Sequence, residues 1–329
     1  MVKRVRVFLL SALWFAICGP AAAQDKFPSK PIRIIVPYAP GGGTDIVSRL
    51  VGDQMRQSLG QPVVVENKVG ANGIIAIEEL LNAKPDGYTV LMGNNTVNVL
   101  TPLLYPTKIS ANVEEKVVPF IRLAAVPNVL LATTTDYTPR TFAEFIEHAK
   151  KNPGKVRFGS VGVGSFPHFD MEVLARRANV NLLHIPNKGG ASAAIKDVAT
   201  GDVHVTPMNV ATSAAMVAAG KVRVLAVFAE QRAPEFPDAP SMTELGYPGV
   251  GTLQWFVFSV PTGTPNDVMQ TLHKAATAGL QAPMVQEAFR KQGISANLTA
   301  SPQETMAWMK GEFANWKKIL KEIPIEMEN

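Results

Sequence analysis

Ile32-Arg33-Ile34-Ile35-Val36 is a short, nearly unbroken apolar run of mostly β-branched residues, and it predicts a buried strand. Pro37 to Gly43 breaks the run. Apolar residues then recur at helical spacing: Ile46, Val47, Leu50, Val51, Met55 and Leu59 share one face, with Thr44 or Asp45 available as a cap. Gly60-Gln61-Pro62 ends that helix, and Val63-Val64-Val65 reads as the next strand. A second helix near Ile74 to Asn82 stops before the turn Pro85-Asp86-Gly87, and Thr89 to Met92 is a third strand. Strands alternating with helices imply parallel βαβ units with right-handed crossovers.

The pattern then restarts. Val129 to Thr133 and Val156 to Phe158 read as strands around a helix at 141–151, and a glycine-rich stretch leads into a helix with Pro167 in its first turn. Further strands are expected at 182–185, 203–205, 222–228 and 256–260. After Pro261 only helices are predicted, roughly 265–280, 283–292 and 302–322. The expected division is residues 24–128 plus 252–329 as a first, discontinuous domain and 129–251 as a second. The chain would then cross between them near Ala125–Leu131 and Gly251–Val260, with the last helices covering the first sheet.

Charge changes the picture once the N-terminus is set aside. Lys3, Arg4 and Arg6 precede an uncharged apolar run from Val7 to Gly19, and Ala21-Ala22-Ala23 suits a cleavage site, so residues 1–23 are expected to be a secretory signal peptide. The formal charge is +5; removing those three cations and no acid leaves +2. That balance gives no argument for nucleic acid or anionic lipid. Removing Cys18 leaves no cysteine, which excludes disulfides, thiolate nucleophiles and cysteine-ligated zinc. The expected product is exported, monomeric and free of metal or cofactor.

Two glycine-rich loops, Pro40-Gly41-Gly42-Gly43-Thr44-Asp45 and Gly159-Ser160-Val161-Gly162-Val163-Gly164-Ser165, each join a strand end to a helix start. Unpaired N–H groups and the partial positive charge at a helix N-terminus suit an anion without a formal cation. The loops are either plain tight turns or a pair of such sites facing each other, with Thr44, Ser160 and Ser165 adding hydroxyls. Neither fits a P-loop or a dinucleotide-binding fingerprint. No nucleophile elbow or zinc-protease motif occurs. His184 and His204 sit within strands as packing residues, His148 and His273 on helices, and only His168 is placed to meet a ligand or else to start its helix. Asp45 reads as a cap or an i,i+4 partner of Arg49. An exported enzyme would have to use His168 or Asp45. Tyr38 and Trp255 are the aromatics expected at the cleft.

These segments carry a family resemblance. Pro31-Ile32-Arg33-Ile34-Ile35-Val36-Pro37, the first glycine loop, Gly60-Gln61-Pro62-Val63-Val64-Val65-Glu66-Asn67, Pro85-Asp86-Gly87-Tyr88-Thr89, Asn152-Pro153-Gly154-Lys155, the second loop with His168, and Pro261-Thr262-Gly263-Thr264-Pro265 occur in order. From Phe27 to about Trp316 the chain resembles the Bug-type periplasmic solute-binding receptors of the tripartite tricarboxylate transporter family. The resemblance implies an α/β, two-domain, type II-like periplasmic-binding-protein clamshell, each domain a mainly parallel sheet flanked by helices. It implies a small carboxylate as ligand and a tripartite tricarboxylate-type permease or a sensor-kinase ectodomain as partner. It carries ligand contacts over to Gly42, Gly43, Thr44 and Asp45, and to Ser160, Gly162, Gly164, Ser165 and His168. Gly70-Ala71-Asn72-Gly73 and Asn94-Asn95-Thr96, together with Asn187 and Asn209, stand where the family pattern varies and are expected to line the distal half of the cleft. Met208 replaces an acidic or aromatic residue there, which points away from a ligand amine.

Overall fold

In the computed structural model, β1 (Ile32–Val36) is the interior strand its composition predicts, with β2 (Val63–Asn67) and β3 (Thr89–Asn94) parallel on either side. Residues 27–187, 189–251 and 253–322 are described. The expected signal peptide at 1–23 lies outside the described residues, as do Lys188 and Thr252. Ile32, Ile34, Ile35 and Val36 are fully buried, while Arg33 pairs with Glu66 and Glu79 at 3.0 Å each. Helix α1 (Gly43–Leu59) lays Val47, Val51 and Met55 on this sheet and ends at Gly60, whose φ of 66° is the left-handed cap glycine favours. Helix α2 (Ile74–Leu81) covers the opposite face with Ala76, Ile77 and Leu80.

The sheet continues through strands of later origin. Its order is β11-β4-β10-β3-β1-β2, where β4 is Val117–Val126, β10 is Gln254–Pro261 and β11 is Ser295–Ala296. β10 runs antiparallel to both β3 and β4. Sequence reading missed β4 because Pro119 and Arg122 interrupt its apolar run. The structure accommodates Pro119 where the β4–β10 register shifts between Phe258 and Ser259. Between β3 and the short helices α3 (Thr101–Leu104) and α4 (Val113–Lys116), residues Asn95–Leu100 form a buried π-helical turn.

The second sheet has the order β7-β6-β8-β5-β9, built from β5 (Asn128–Thr133), β6 (Arg157–Ser160), β7 (Leu183–Pro186), β8 (Val205–Asn209) and β9 (Val222–Phe228). β6 is parallel to β7 and β8, and β5 is antiparallel to β8 and β9. Helices α5 (Phe142–Lys151), α6 (Phe166–Ala178), α7 (Ala191–Thr200) and α8 (Val210–Ala218) flank it. The chain leaves the first sheet at Val126 and enters the second at Asn128, with only Pro127 between. It returns along 229–253 into β10.

After β10 come α9 (Asn266–Gln281), α10 (Pro283–Lys291) and α11 (Pro302–Glu322), and, where only helices were expected, the two-residue strand β11 pairs with β4 between α10 and α11. α9 packs on α1 and β4, and α11 on β4, so the C-terminal helices cover the first sheet. Met309, Phe313 and Trp316 of α11 join Trp255 of β10 and Phe166 and Phe169 of α6 in one apolar cluster. Each such buried side chain contributes about 1.5–3 kcal/mol. Among the described residues no helix is long and apolar enough to cross a membrane.

Candidate ligand-binding site

The first glycine loop leaves β1 and turns at Gly41, whose φ is 88°. Asp45, in the first turn of α1, folds back on this loop. Its carboxylate accepts from the Gly41 N–H at 3.0 Å, from Asn67 Nδ2 at 2.9 Å and from Arg49 Nε at 3.0 Å. Burial alone would raise its pKa, but the bonds from Arg49, Gly41 and Asn67 outweigh that and hold it below the usual carboxylate range. Asp45 therefore shapes the loop and does not line the cavity in front of it. With Gly42 as N-cap no side chain caps α1, so its first-turn N–H groups face outward without an intrahelical acceptor.

The second loop is organised by histidines. Ser160 Oγ lies 2.7 Å from His184 Nε2 and accepts from the Gly162 N–H at 3.1 Å. His168 Nδ1 accepts from the Gly164 N–H at 3.1 Å, and its ring stacks on His184 with centroids 3.9 Å apart. Phe158 stacks on His184 at 4.7 Å. Burial, reinforced by His168 nearby, pushes His184 down to about 3, so it is neutral at physiological pH. Ser165 Oγ donates to the Gly162 carbonyl at 2.6 Å. Ser160, Gly164, Ser165 and His168 thus hold the loop's shape and line neither cavity described below.

The symmetry expected between the loops is broken. At the start of α6 the Phe166 N–H donates to Thr96 Oγ1 at 3.1 Å, and Pro167 has no N–H to offer. The first turn of α1 stays open while that of α6 is largely spent.

Two neighbouring cavities lie between the sheets. The inner one measures about 30 Å³ and is lined by Gly42, Gly43 and Thr44 from the first loop, and by Tyr38, Asn94 and Thr96 beside it. From the second half come Val161, Pro167, Ala191, Met208, Asn128 and Asn209, and from β10 Gln254. None of its lining residues is charged. The volume suits about two waters, close to one carboxylate group. The outer cavity, of about 480 Å³, shares Tyr38 and Val161 with the inner one and includes Gly162. Tyr38 and Asn94 meet at 3.3 Å. Burial pushes the Tyr38 phenol up to about 12, with hydrogen bonds from Asn94 and Thr96 pulling the other way, so it stays protonated.

Two further expected residues are also elsewhere. Side chains alternate along a strand, so Gln254 faces the cavity and Trp255 faces away. Trp255 packs edge-on to Trp308 at 4.8 Å, and its Nε1 donates to Glu312 at 2.9 Å. Asn187 donates to Asp197 and accepts from the Gly189 N–H, shaping the entry to α7 instead of lining a cavity. Asn209 is where it was expected: its Oδ1 caps α8 through the Thr212 N–H at 2.9 Å, and its Nδ2 donates to Gln254 at 3.0 Å. Sequence reading missed Asn128, Ala191 and Gln254, whereas Thr96, in the Asn94-Asn95-Thr96 stretch expected at the cleft, does line the inner cavity. Asn128 follows a chain-crossing proline and Ala191 starts a helix after two glycines, the signals that could have found them.

Further bonds join the halves. Val163 O in the second loop accepts from Asn72 Nδ2 at 2.6 Å and from Tyr105 Oη at 3.2 Å. Ser192 Oγ donates to Pro40 O at 3.2 Å. Among the described residues no group of three His, Cys, Asp or Glu is placed to hold a metal ion.

Comparison with known proteins fits this geometry. The sequence profile described as "Tripartite tricarboxylate transporter family receptor" matches residues 47–325. Protein BugT of Bordetella pertussis is 32% identical over 98% of this chain and 98% of its own length. The solved structure of periplasmic binding protein BugD is 33% identical, with a TM-score of 0.84 over 92% of this chain and 100% of that one. An R. palustris protein solved with adipate is 29% identical, with a TM-score of 0.85 over 91% of this chain and 99% of that one.

Proposed function

The chain belongs to the tripartite tricarboxylate transporter receptor family, and on that premise we propose that it is a periplasmic solute-binding receptor. It captures a small carboxylate between its two sheets and delivers it to a tripartite tricarboxylate-type permease. Residues 24–128 with 252–329, and 129–251, are its two domains, and residues 1–23 direct its export. The observation that carries this reading is the uncharged inner cavity at the uncapped start of α1. A carboxylate there meets outward N–H groups and the positive end of the helix dipole. Thr44, Asn94 and Asn209 add neutral partners. No acid lines this cavity to meet an ammonium, which favours a plain carboxylate over an amino acid. Adipate in the R. palustris relative supports the same class. An enzymatic reading finds its two candidate groups engaged inward, Asp45 by Arg49 and Asn67 and His168 by Gly164.

Closure on the ligand is the signal a membrane partner would read. A ligand at 100 times Kd stabilises the folded state by ~2.7 kcal/mol. The test is thermal unfolding with a carboxylate panel on the wild type and on Gly42→Val. A Cβ at Gly42 meets only Ala191 Cβ at 3.8 Å and Ala39 O at 3.9 Å, whereas one at Gly43 would press on buried Phe256 at 3.1 Å. Gly42→Val is expected to fold and to lose the ligand-induced shift. A full shift retained by a folded Gly42→Val protein would remove α1's N-terminus from the site.

A further inference from the structure

The inner cavity has room for about one carboxylate group, whereas the neighbouring cavity is some sixteen times larger, about 480 Å³ against about 30 Å³. A cavity of roughly 150 Å³ already holds a benzene ring. A ligand larger than a single carboxylate would extend its body past Tyr38 and Val161, the two residues that line both spaces.

The walls of the outer cavity say what that body is. Val69, Ile74, Val163 and Pro186 give it apolar sides. Val69 keeps 41% of its surface exposed, apolar area that a ligand would cover. Among the lining residues there is no carboxylate, and the one charged side chain is Lys108. No acid stands within ion-pair distance of Lys108 among the described residues. Its Nζ sits 5.3 Å from the centre of the Tyr105 ring, a cation–π contact that favours one position over free solvation. Tyr105 in turn donates to Val163 O in the opposite loop, so closure of the two halves fixes the platform under the cation.

We propose that Lys108 receives a second anionic group of the ligand at the rim, and so sets the preference for a diacid long enough to reach it. This rests on the carboxylate-receptor reading above. One end sits at the start of α1, where backbone dipoles suffice. The other end meets a full charge at the rim, where solvent competes and dipoles would be too weak. A dianion too short to pass Tyr38 reaches only the first of these.

The experiment is isothermal titration of α,ω-dicarboxylates of four to eight carbons, each beside the monocarboxylate of equal length, on the wild type, Lys108→Met and Lys108→Arg. The wild type is expected to bind the longer diacids at least tenfold more tightly than their monoacids, with a preference that weakens as salt rises. Lys108→Met is expected to erase that preference and leave monoacid binding unchanged, and Lys108→Arg to restore most of it. Monoacid binding with no diacid preference, or a diacid preference that survives Lys108→Met, overturns the role of Lys108 and leaves the receptor reading standing. Absence of binding by either series overturns both.

Discussion

Gly93 lies in β3, paired with Val257 of β10, and a Cβ built there would sit 1.4 Å from Asn98 Oδ1 and 2.5 Å from its Cγ. Asn98 belongs to the buried turn that follows β3, and its Nδ2 donates to Ser259 Oγ at 3.2 Å. In Gly93→Ala the amide has to leave this position. Overpacking a filled core costs about 1–3 kcal/mol. Breaking the bond to Ser259 leaves buried polar atoms unpaired, for about 1–3 kcal/mol more. The expected loss is about 2–6 kcal/mol, a large share of a typical folding stability of about 5–15 kcal/mol. Urea unfolding followed by circular dichroism reads it as a lowered midpoint at unchanged slope. Asn98→Ala removes the obstacle, so Gly93→Ala/Asn98→Ala is expected to be more stable than Gly93→Ala alone, a coupling the double-mutant cycle isolates. Thr96 of this turn and Asn94, which caps it from the end of β3, both line the inner cavity, so ligand affinity should fall in the single variant and recover in the double. A neutral Gly93→Ala, or effects that simply add, would refute the steric account.

Asn72 has φ 52° and donates to Val163 O across the cavity, so Asn72→Gly keeps the backbone conformation accessible while deleting that bond. It is expected to enlarge the radius of gyration in small-angle scattering and to weaken ligand binding several-fold; an unchanged radius and affinity would show that the bond does not hold the halves together. Burial pushes His184 to about 3 and His204 to about 4, from an ordinary 6.5. The unfolded chain takes up protons that these rings refuse, so their contribution is complete above pH 6.5 and is lost as pH falls toward 4 and then 3. His184→Phe should make that acid limb shallower in pH-dependent urea unfolding, whatever it does to stability at neutral pH, and an unchanged slope would contradict the burial argument.

Much of the layout was legible because it depends on local pattern. The run at 32–36, the helical face of α1 and the C-terminal helices carry their periodicity in neighbouring residues, and the glycine loops mark where strands hand over to helices. The strand-turn-helix reading marked the first glycine loop as a possible anion site, and the family resemblance narrowed it to residues that include Gly42, Gly43 and Thr44, which line the inner cavity. β4 was not legible, because its apolar run is broken by residues that only a shifted register with β10 accommodates. Trp255 was placed one position wrong in effect, since proximity to the crossing says nothing about which strand face looks inward.

The sequence by itself determined an α/β chain with two glycine-loop helix starts and no surplus charge, because composition and short-range periodicity suffice for that. Only the tertiary structure decided that the two starts are unequal. Thr96 reaches Phe166 from the other sheet, and Asp45, His168 and Ser160 turn inward to brace their own loops. Such contacts join residues far apart in the chain, and which helix start remains open to an anion is settled by whichever long-range donor or acceptor arrives there first.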